Sequence, residues 1–275
     1  MRVALIQLGY DDIEDVADRV DRVAEMVRAQ RGHDLVVLPE LWAPGGFAYE
    51  TWESRADTPN GAIAQAMSAA ARDAGVTVHA GSIVETSTDG STGPEGKDLW
   101  NTSLLFGSDG TLLATYRKIH RFGFGAGEPA LMEAGELVVT AELPTGVGDE
   151  TVTAGLSTCY DLRFPELYRA QLDRGAKVFV IPAAWPRKRV THWTLLAHAR
   201  AVENQCVVIA CNTAGTHSGH EMGGHSQVIS PTGEALAMAG LDEEVLSVDI
   251  DLDVVDTWRR DFPVLADRRL PGRAH

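Results

Sequence analysis

The sequence predicts a single α/β domain built from alternating strands and helices. Short apolar runs of strand length alternate with segments whose apolar residues recur at helical spacing. Turn signals separate these segments, and neither an internal repeat nor a long linker interrupts their order. A length of 275 residues suits one large domain or two small ones, and the unbroken alternation favours one domain over residues 1–275.

The elements of the N-terminal half follow from apolar periodicity and turn residues. In order, the predicted elements are a strand at Val3–Leu8, a helix between Ile13 and Val27, a strand at Asp34–Pro39, a helix at Ala62–Ala74, a strand at Val76–Val84, and a hairpin of Thr102–Phe106 and Thr111–Tyr116. The strands are nearly continuous apolar runs, and the first helix has valines three or four positions apart. Gly75 supplies a C-cap signal for the second helix. The polar segment Thr86–Gly96 is predicted to be a mobile loop.

The C-terminal half continues the alternation and contains a β-α-β unit. The predicted elements are a strand at Thr151–Thr158, a helix at Phe164–Asp173, a strand at Lys177–Pro182, a helix at His192–Asn204, and strands at Cys206–Asn212, Ser226–Ser230 and Val245–Ile250. Gly175 ends the first of these helices, which separates two buried strands. The charged segment Leu252–Arg269 is expected to cover either a partner protomer or an edge of its own protomer.

Composition excludes several classes of protein. The chain has 39 acidic and 24 basic residues and a formal net charge of −15, whereas nucleic-acid-binding proteins present a basic face. No window approaches the roughly 20 apolar residues of a membrane span, and we expect no signal peptide at the N-terminus. Three cysteines cannot build a disulfide framework. We therefore expect a cytoplasmic protein with reduced thiols that binds neither nucleic acid nor a membrane.

Three reactive residues, Glu40, Lys118 and Cys159, each come directly after an apolar run that predicts a buried strand. Because ligands bind outside one common end of the strands in α/β sheets, we hypothesise that the three side chains meet at such an edge. The residue types alone leave a structural role open. A cysteine at a strand end is more often a small core residue, and a lysine or glutamate there is usually a solvated charge.

A carboxylate, an amine and a thiol together can perform nucleophilic catalysis. The Glu40 carboxylate can take the thiol proton of Cys159 as a general base. The Lys118 ammonium can favour the thiolate and stabilise the oxyanion of an acyl-transfer transition state, helped by the backbone N–H of Tyr160. The implied reaction is attack of the thiol on a carbonyl or nitrile carbon, formation of a thioacyl intermediate, and its hydrolysis.

Several sequence motifs give these residues a family context. The first three are Leu38-Pro39-Glu40-Leu41-Trp42, Tyr116-Arg117-Lys118-Ile119-His120 and Cys159-Tyr160-Asp161-Leu162-Arg163-Phe164-Pro165-Glu166. Further blocks are Ala183-Ala184-Trp185-Pro186, Ala199-Arg200-Ala201-Val202-Glu203-Asn204-Gln205, and Gly224-His225-Ser226 before Pro231-Thr232-Gly233-Glu234. In this order and at these separations they resemble the carbon–nitrogen hydrolase (nitrilase) superfamily, from Val3 to about Arg269. The resemblance implies an α-β-β-α sandwich and pairing of protomers into a homodimer or a higher homo-oligomer.

The resemblance also implies a catalytic role for four residues. Glu40 would be the general base, Lys118 the oxyanion stabiliser and Cys159 the nucleophile. Many family members carry a second essential glutamate after the lysine. Glu128 is expected to be that residue rather than Glu133, because it lies several residues before a glycine turn.

The motif that begins at the cysteine is most similar to the Nit-type amidases, which include ω-amidases acting on monoamides of 2-oxo dicarboxylic acids. This similarity implies an amidase that cleaves a small, carboxylate-bearing amide and releases ammonia; an N-carbamoyl amide hydrolase or a nitrilase using the same trio is the alternative. The candidate substrate-binding residues are Tyr160, Arg163 and Trp185. Arg163 could bind a substrate carboxylate or pair with Glu166, and Trp185 could wall the acyl pocket or belong to the core. Arg187–Arg189 is expected to be a solvated loop.

No metal and no cofactor are expected, and the expected partner is a small amide. The glycine-rich segment Gly123–Gly127 lacks the spacing and the following helix of a dinucleotide-binding loop. Glycines interrupt the cluster of His217, His220, Glu221 and His225, which favours a polar loop over a zinc site.

Overall fold

The computed structural model describes residues 1–270, which form two large sheets with helices on their outer faces. In chain order, the strands are β1 (Arg2–Gln7), β2 (Leu35–Val37), β3 (Thr77–Thr86), β4 (Leu99–Phe106), β5 (Leu112–Arg117), β6 (Thr140–Pro144), β7 (Thr151–Leu156), β8 (Val178–Pro182), β9 (Val207–Cys211), β10 (Thr216–His217), β11 (His220–Glu221), β12 (Gln227–Ile229), β13 (Ala235–Met238) and β14 (Glu244–Asp249). The α-helices are α1 (Val16–Arg28), α2 (Ala62–Ala74), α3 (Glu128–Leu131), α4 (Pro165–Asp173), α5 (Val190–Asn204) and α6 (Asp253–Asp261). None of these helices of residues 1–270 has both the length and the apolar character needed to cross a membrane.

Each large sheet has a parallel centre and antiparallel edges. The first sheet has the order β14-β1-β2-β3-β4-β5, and the second has the order β13-β12-β9-β8-β7-β6. Strands β1, β2 and β3 run parallel in the first sheet, as do β7, β8 and β9 in the second. Antiparallel strands then extend both sheets at either side.

The alternating residues of β1 show how the layers are stacked. Val3 and Leu5 belong to the core between the two sheets, whereas Ala4 and Ile6 pack with residues of α1 and α2. On the other side, α4 and α5 pack on the second sheet, and Trp193 of α5 joins its core. The order of layers is helix, sheet, sheet, helix, so the predicted α-β-β-α sandwich is confirmed. Because the central strands are buried on both faces, their sequences are continuous apolar runs.

The predicted elements are largely present, with small shifts at their ends. Helix α2 has the predicted bounds, and Gly75 ends it in the left-handed conformation with φ of 69°. Helix α1 starts later than the valine spacing alone indicates. The Asp15 carboxylate caps it by accepting the Ala17 N–H at 2.8 Å, and Ile13 lies outside the helix with 92% of its surface exposed.

The sequence patterns do not predict β6, β13 or α6. Strands β6 and β13 form the two edges of the second sheet and are largely solvent-accessible, so neither shows a continuous apolar run. Helix α6 lies in the segment expected to cover a partner protomer or an edge of its own. It packs on its own chain, where Val255 is buried and Arg259 donates to the carbonyls of Gln205 and Ala176, both at 3.1 Å.

Candidate active site

Glu40, Lys118 and Cys159 line one pocket at an end of the sandwich. Glu40 comes shortly after β2, Lys118 follows β5 directly, and Cys159 comes shortly after β7. Strands β2 and β5 belong to the first sheet and run in the same direction, whereas β7 belongs to the second sheet. The predicted convergence is therefore confirmed, but the expectation of one sheet edge is wrong, because the three residues come from two stacked sheets.

Lys118 lies between two carboxylates. Its Nζ donates to Glu40 Oε1 at 2.7 Å, to Glu128 Oε1 at 3.0 Å and to Glu128 Oε2 at 2.8 Å. Asn101 on β4 donates from Nδ2 to Glu40 Oε1 at 2.8 Å and to Glu128 Oε1 at 2.6 Å. The second oxygen of Glu40 accepts the backbone N–H of Ala184 at 3.0 Å. All of these side chains are buried, so the geometry of the network is fixed by the protein.

Of the two candidate glutamates, Glu128 lies in the pocket and Glu133 does not. Glu128 is the first residue of α3, and its carboxylate also accepts the backbone N–H of Phe122. Glu133 Oε1 instead accepts the backbone N–H groups of Glu95 at 2.8 Å and Lys97 at 2.9 Å. Glu133 thereby holds the end of the polar loop between β3 and β4, and this loop contributes no residue to the pocket wall.

Cys159 occupies an unusual turn. Its φ is +47°, in the left-handed region that non-glycine residues rarely adopt. The buried Asp161 carboxylate holds this turn, because its Oδ2 accepts the Thr158 N–H at 2.9 Å and the Tyr116 hydroxyl at 2.7 Å. Its Oδ1 accepts the backbone N–H of His120 at 2.9 Å. Tyr116 and His120 flank the pocket lysine, so Asp161 ties the cysteine turn to the segment that carries the ammonium.

Burial and neighbouring charges set the protonation states of the pocket. Burial raises the pKa of the Cys159 thiol, and the charge of Glu40 raises it further, while Lys118 opposes both. Burial lowers the pKa of Lys118, but the charges of Glu128 and Glu40 outweigh burial and raise this pKa well above its usual range. Burial also raises the pKa of Glu128. At rest the pocket therefore holds an ammonium and a neutral thiol, whose proton must be removed by a base as the sulfur attacks.

The walls of the pocket are aromatic and carry two arginines. The pocket has a volume of about 390 Å³, part of it open to solvent. The guanidinium carbon of Arg163 lies 4.7 Å from the centre of the Trp185 ring, and that of Arg189 lies 5.1 Å from the centre of the Phe122 ring. The aromatic lining residues are Phe47, Tyr49, Trp52, Phe122, Tyr160 and Trp185.

The three candidate substrate-binding residues, Tyr160, Arg163 and Trp185, all line this pocket. Within residues 1–270 Arg163 forms no ion pair with Glu166; its hydrogen bonds go to Nδ1 of His192 at 3.3 and 3.4 Å. Trp185 is 2% exposed and packs against the ring of a core tryptophan on α5 as well as lining the pocket. Trp185 is therefore both a core residue and part of the pocket lining.

The expectation of a solvated loop holds for Arg187 but is wrong for Arg189. Arg187 is exposed and forms a surface ion pair with Glu221. Arg189 turns the other way and lines the pocket. The difference arises in the short 3-10 turn at Arg187–Arg189, which sends the last side chain inward just before α5 begins.

Two further buried residues, Asn101 and Asp161, organise the pocket, and the sequence patterns do not identify either as functional. Asn101 lies one residue before the predicted start of the hairpin strand at Thr102, so the apolar pattern does not place it in a buried element. The sequence position of each residue could indicate a buried hydrogen-bonding role. A polar side chain inside a buried apolar run, or next to its end, must find hydrogen-bond partners there. The partners that tie these residues to the pocket cannot be identified without the fold, since Glu40 and Glu128 are distant in sequence from Asn101, and Tyr116 and His120 are distant from Asp161.

The histidine-rich segment supports the pocket wall. The Nε2 atom of His217 contacts the Tyr10 hydroxyl at 3.0 Å, and the two rings stack with centroids 4.1 Å apart. The same hydroxyl accepts the backbone N–H of Gly46, a pocket-lining residue, at 3.1 Å. In the described part of the chain, no group of three or more His, Cys, Asp or Glu residues is arranged to hold a metal ion.

This arrangement suits acyl transfer through a thiol. A neutral thiol lies near a carboxylate that can take its proton, and an ammonium faces the same space. The aromatic walls suit a small molecule, and the guanidinium groups suit an anionic end on that molecule.

Comparison with known proteins assigns the chain to a family. Residues 2–260 match the sequence model of the family described as Carbon-nitrogen hydrolase. A 2-oxoglutaramate amidase of Paenarthrobacter nicotinovorans is 45% identical over 267 residues, which cover 97% of this chain and 89% of that relative. The omega-amidase NIT2 of Homo sapiens is 34% identical over 273 residues, covering 98% and 95%. Among solved structures, Saccharomyces cerevisiae Nit3, a member of branch 10 of the nitrilase superfamily, matches with a TM-score of 0.85 and 30% identity and covers 98% of this chain and 97% of that one. This chain therefore belongs to the carbon–nitrogen hydrolase family, within the nitrilase superfamily.

Proposed function

We propose that this protein is an ω-amidase-type enzyme, which hydrolyses the amide of a small carboxylate-bearing molecule and releases ammonia. The observation that carries this proposal is the presence of Arg163 and Arg189 in the same pocket as Cys159. Within residues 1–270 neither guanidinium has a carboxylate partner, whereas the neighbouring Arg187 is paired. In a chain with a net charge of −15, two such cations beside a nucleophile would attract an anionic substrate and orient it.

In the first half of the proposed reaction, the amide carbon becomes bonded to sulfur. The Cys159 sulfur attacks the carbonyl carbon while Glu40 takes the thiol proton. The Lys118 ammonium and the backbone N–H of Tyr160 stabilise the negative charge that develops on the carbonyl oxygen. Glu40 then gives its proton to the amide nitrogen, the C–N bond breaks, and ammonia leaves a thioester on the enzyme.

In the second half, water releases the acid. Glu40 takes a proton from a water molecule as its oxygen attacks the thioester carbon, and that proton returns to the departing sulfur of Cys159. Each turnover consumes one water and produces one ammonia and one carboxylic acid. Glu128 would hold the Lys118 ammonium in place throughout, because both of its oxygens accept from Nζ.

The proposed substrate class is the ω-monoamide of a 2-oxo dicarboxylic acid. The relatives named 2-oxoglutaramate amidase and omega-amidase NIT2 support this class, since they align with this chain over nearly its whole length. Such a molecule has an amide at one end, for Cys159, and a carboxylate at the other, for Arg163. Tyr160 and Trp185 would wall the carbon chain between them.

An N-carbamoyl amide hydrolase or a nitrilase is the alternative, because the same glutamate, lysine and cysteine serve all three reactions. Ammonia release from a panel of ω-amides, neutral amides, N-carbamoyl amino acids and nitriles separates them. We expect turnover of the ω-amides, and its loss in Cys159→Ala. Turnover confined to the carbamoyl compounds or the nitriles would overturn the substrate class, and unchanged turnover in Cys159→Ala would overturn the mechanism.

We also propose that the protein acts in the cytoplasm, as a homodimer or a higher homo-oligomer, with residues 1–275 forming one carbon–nitrogen hydrolase domain. All three cysteines are free thiols, which suits a reducing compartment. On α5, Leu195 is 65% exposed and Val202 is 50% exposed, and a second copy would cover such apolar residues. The single-domain proposal is supported by the family match over residues 2–260. Sedimentation of the purified chain tests the oligomer, and sedimentation as a monomer would overturn it.

A further inference from the structure

Asn101 bridges two carboxylates of the pocket without lining the pocket itself. Its side chain is 2% exposed, and its Nδ2 lies 2.8 Å from Glu40 Oε1 and 2.6 Å from Glu128 Oε1. The same two oxygens accept from Lys118 Nζ at 2.7 and 3.0 Å. The carboxylates are thus joined twice, once by an ammonium and once by an amide.

The backbone of Asn101 is tied to the same lysine. Its carbonyl accepts the Lys118 N–H at 2.8 Å, at the point where the pairing of β4 with β5 ends. One residue therefore fixes the start of the lysine's main chain and, through its side chain, the two acceptors of the lysine's ammonium.

An amide is the side chain that this position requires. Glu40 and Glu128 already face each other across Lys118 in a buried space, so a third carboxylate there would add repulsion. An amide nitrogen has two N–H groups, one for each carboxylate, and carries no charge. The Oδ1 atom of Asn101 has no partner in residues 1–270, so the side chain serves here only as a donor.

We propose that Asn101 is a positioning residue, which holds Glu40 and Glu128 in a fixed relation to Lys118 and thereby keeps Glu40 in place to accept the proton of Cys159. This inference rests on the proposed function, in which Glu40 is the base. It extends the set of residues that the reaction needs beyond the glutamates, the lysine and the cysteine.

The proposal predicts a change in pH dependence when the amide is lost. Burial raises the pKa of Glu128 and Glu40 raises it further, whereas Lys118 and the Asn101 amide hold it down. Loss of the amide should therefore raise this pKa, so Glu128 would lose its charge at a higher pH and release Lys118. The charged or titratable groups that surround Glu128 are Lys118, Glu40, Tyr49, Cys159 and Arg121.

The test compares Asn101→Ala and Asn101→Asp with the wild type and with Thr102→Val. Thr102 is the next residue on β4, is fully buried and donates to Glu85, away from the pocket, so it controls for loss of a buried hydrogen bond on this strand. We expect both Asn101 variants to lower kcat by about 10- to 100-fold, the loss typical of one or two hydrogen bonds to charged groups, with KM changed much less. The acidic limb of the pH profile of kcat should move to higher pH, and Thr102→Val should match the wild type.

Asn101→Asp also controls for a folding defect, because an aspartate side chain has nearly the shape of asparagine. We expect Asn101→Asp to be the slower of the two, since it adds a negative charge. A folded Asn101→Asp or Asn101→Ala enzyme with wild-type kcat and a wild-type pH profile would overturn the proposal.

A second readout needs no substrate. Iodoacetamide alkylates a thiol as its proton leaves, so its rate of reaction with Cys159, followed by mass spectrometry, reports whether the base is in place. We expect about tenfold slower labelling at pH 7 in Asn101→Ala than in Thr102→Val; equal rates would overturn the positioning role. If the wild type releases no ammonia from any amide, the proposed function fails, and the labelling comparison still decides the role of Asn101.

Discussion

Replacement of Arg163 by methionine should separate acidic from neutral substrates. The Arg163 guanidinium lies over the rings of Trp185, at 4.7 Å, and Tyr160, at 5.8 Å, and has no carboxylate partner in the described residues. Methionine keeps an unbranched apolar stem on these rings and removes only the charged donors. The substrate pair that isolates the charge is succinamate and butyramide, which differ by a carboxylate in place of a methyl group.

The size of the effect follows from the contact that is lost. A charged hydrogen bond contributes about 1.5–3 kcal/mol net, which corresponds to a decrease of about 10- to 150-fold in kcat/KM. Within residues 1–270 Arg163 has no ion pair that must break before it binds a substrate carboxylate, only long hydrogen bonds to His192, so little of this energy is offset. Butyramide cannot use the guanidinium, and its kcat/KM should change less than about threefold.

The assay is steady-state ammonia release from both amides, with Arg187→Met as the matched control. Arg187 carries the same charge, but it lies on the 3-10 turn before α5 and pairs with Glu221 at the surface. We expect Arg187→Met to leave the ratio of the two kcat/KM values near that of the wild type. Equal losses on succinamate and butyramide in Arg163→Met would refute carboxylate recognition by this residue.

The remaining predictions concern the second glutamate, acid stability and metals. Glu128→Gln should lower kcat by at least about 100-fold, because it removes a charge that holds the ammonium, whereas Glu133→Gln should stay within about threefold; the reverse order would contradict the assignment. Burial lowers the pKa of His79 to about 4 from 6.5, so the unfolded chain binds the proton more tightly and stability falls as the pH drops from about 6.5 towards 4. Between pH 8 and pH 5, urea unfolding should show that His79→Leu loses about 2 kcal/mol less stability than the wild type, and parallel losses in both proteins would refute this cause. Dialysis against a chelator should leave turnover unchanged; a loss restored by added zinc would require a metal in the mechanism.

The central strands are predictable from sequence because both of their faces are buried. The long helices are predictable because each buries one stripe of apolar residues. The run Val3–Leu8 is apolar at every position but one, since both faces of β1 are covered. The end of α2 is predicted to the residue because Gly75 adopts a left-handed conformation that favours glycine. The edge strands β6 and β13 cannot be predicted in this way. Solvent reaches them, so they tolerate mixed polar and apolar residues and show no continuous apolar run.

The reactive residues of the pocket are predictable as a set, but their neighbours are not. Glu40, Lys118 and Cys159 stand out because each follows an apolar strand within a family motif. Asn101 contributes through hydrogen bonds to Glu40 and Glu128, which are distant from it in sequence and come close only in the fold. Arg189 enters the pocket because a short turn rotates it away from solvent, and no periodicity in a three-residue turn encodes that rotation.

The central claim is that the acyl group of the substrate passes through Cys159. The most direct measurement is a rapid acid quench during turnover of an ω-amide, followed by peptide mass spectrometry. The account predicts a mass increase equal to the acyl group on the peptide that contains Cys159, formed with the release of ammonia, and no such increase on the peptides of Cys206 or Cys211. Turnover without any adduct on Cys159, together with turnover that persists in Cys159→Ala, would contradict it.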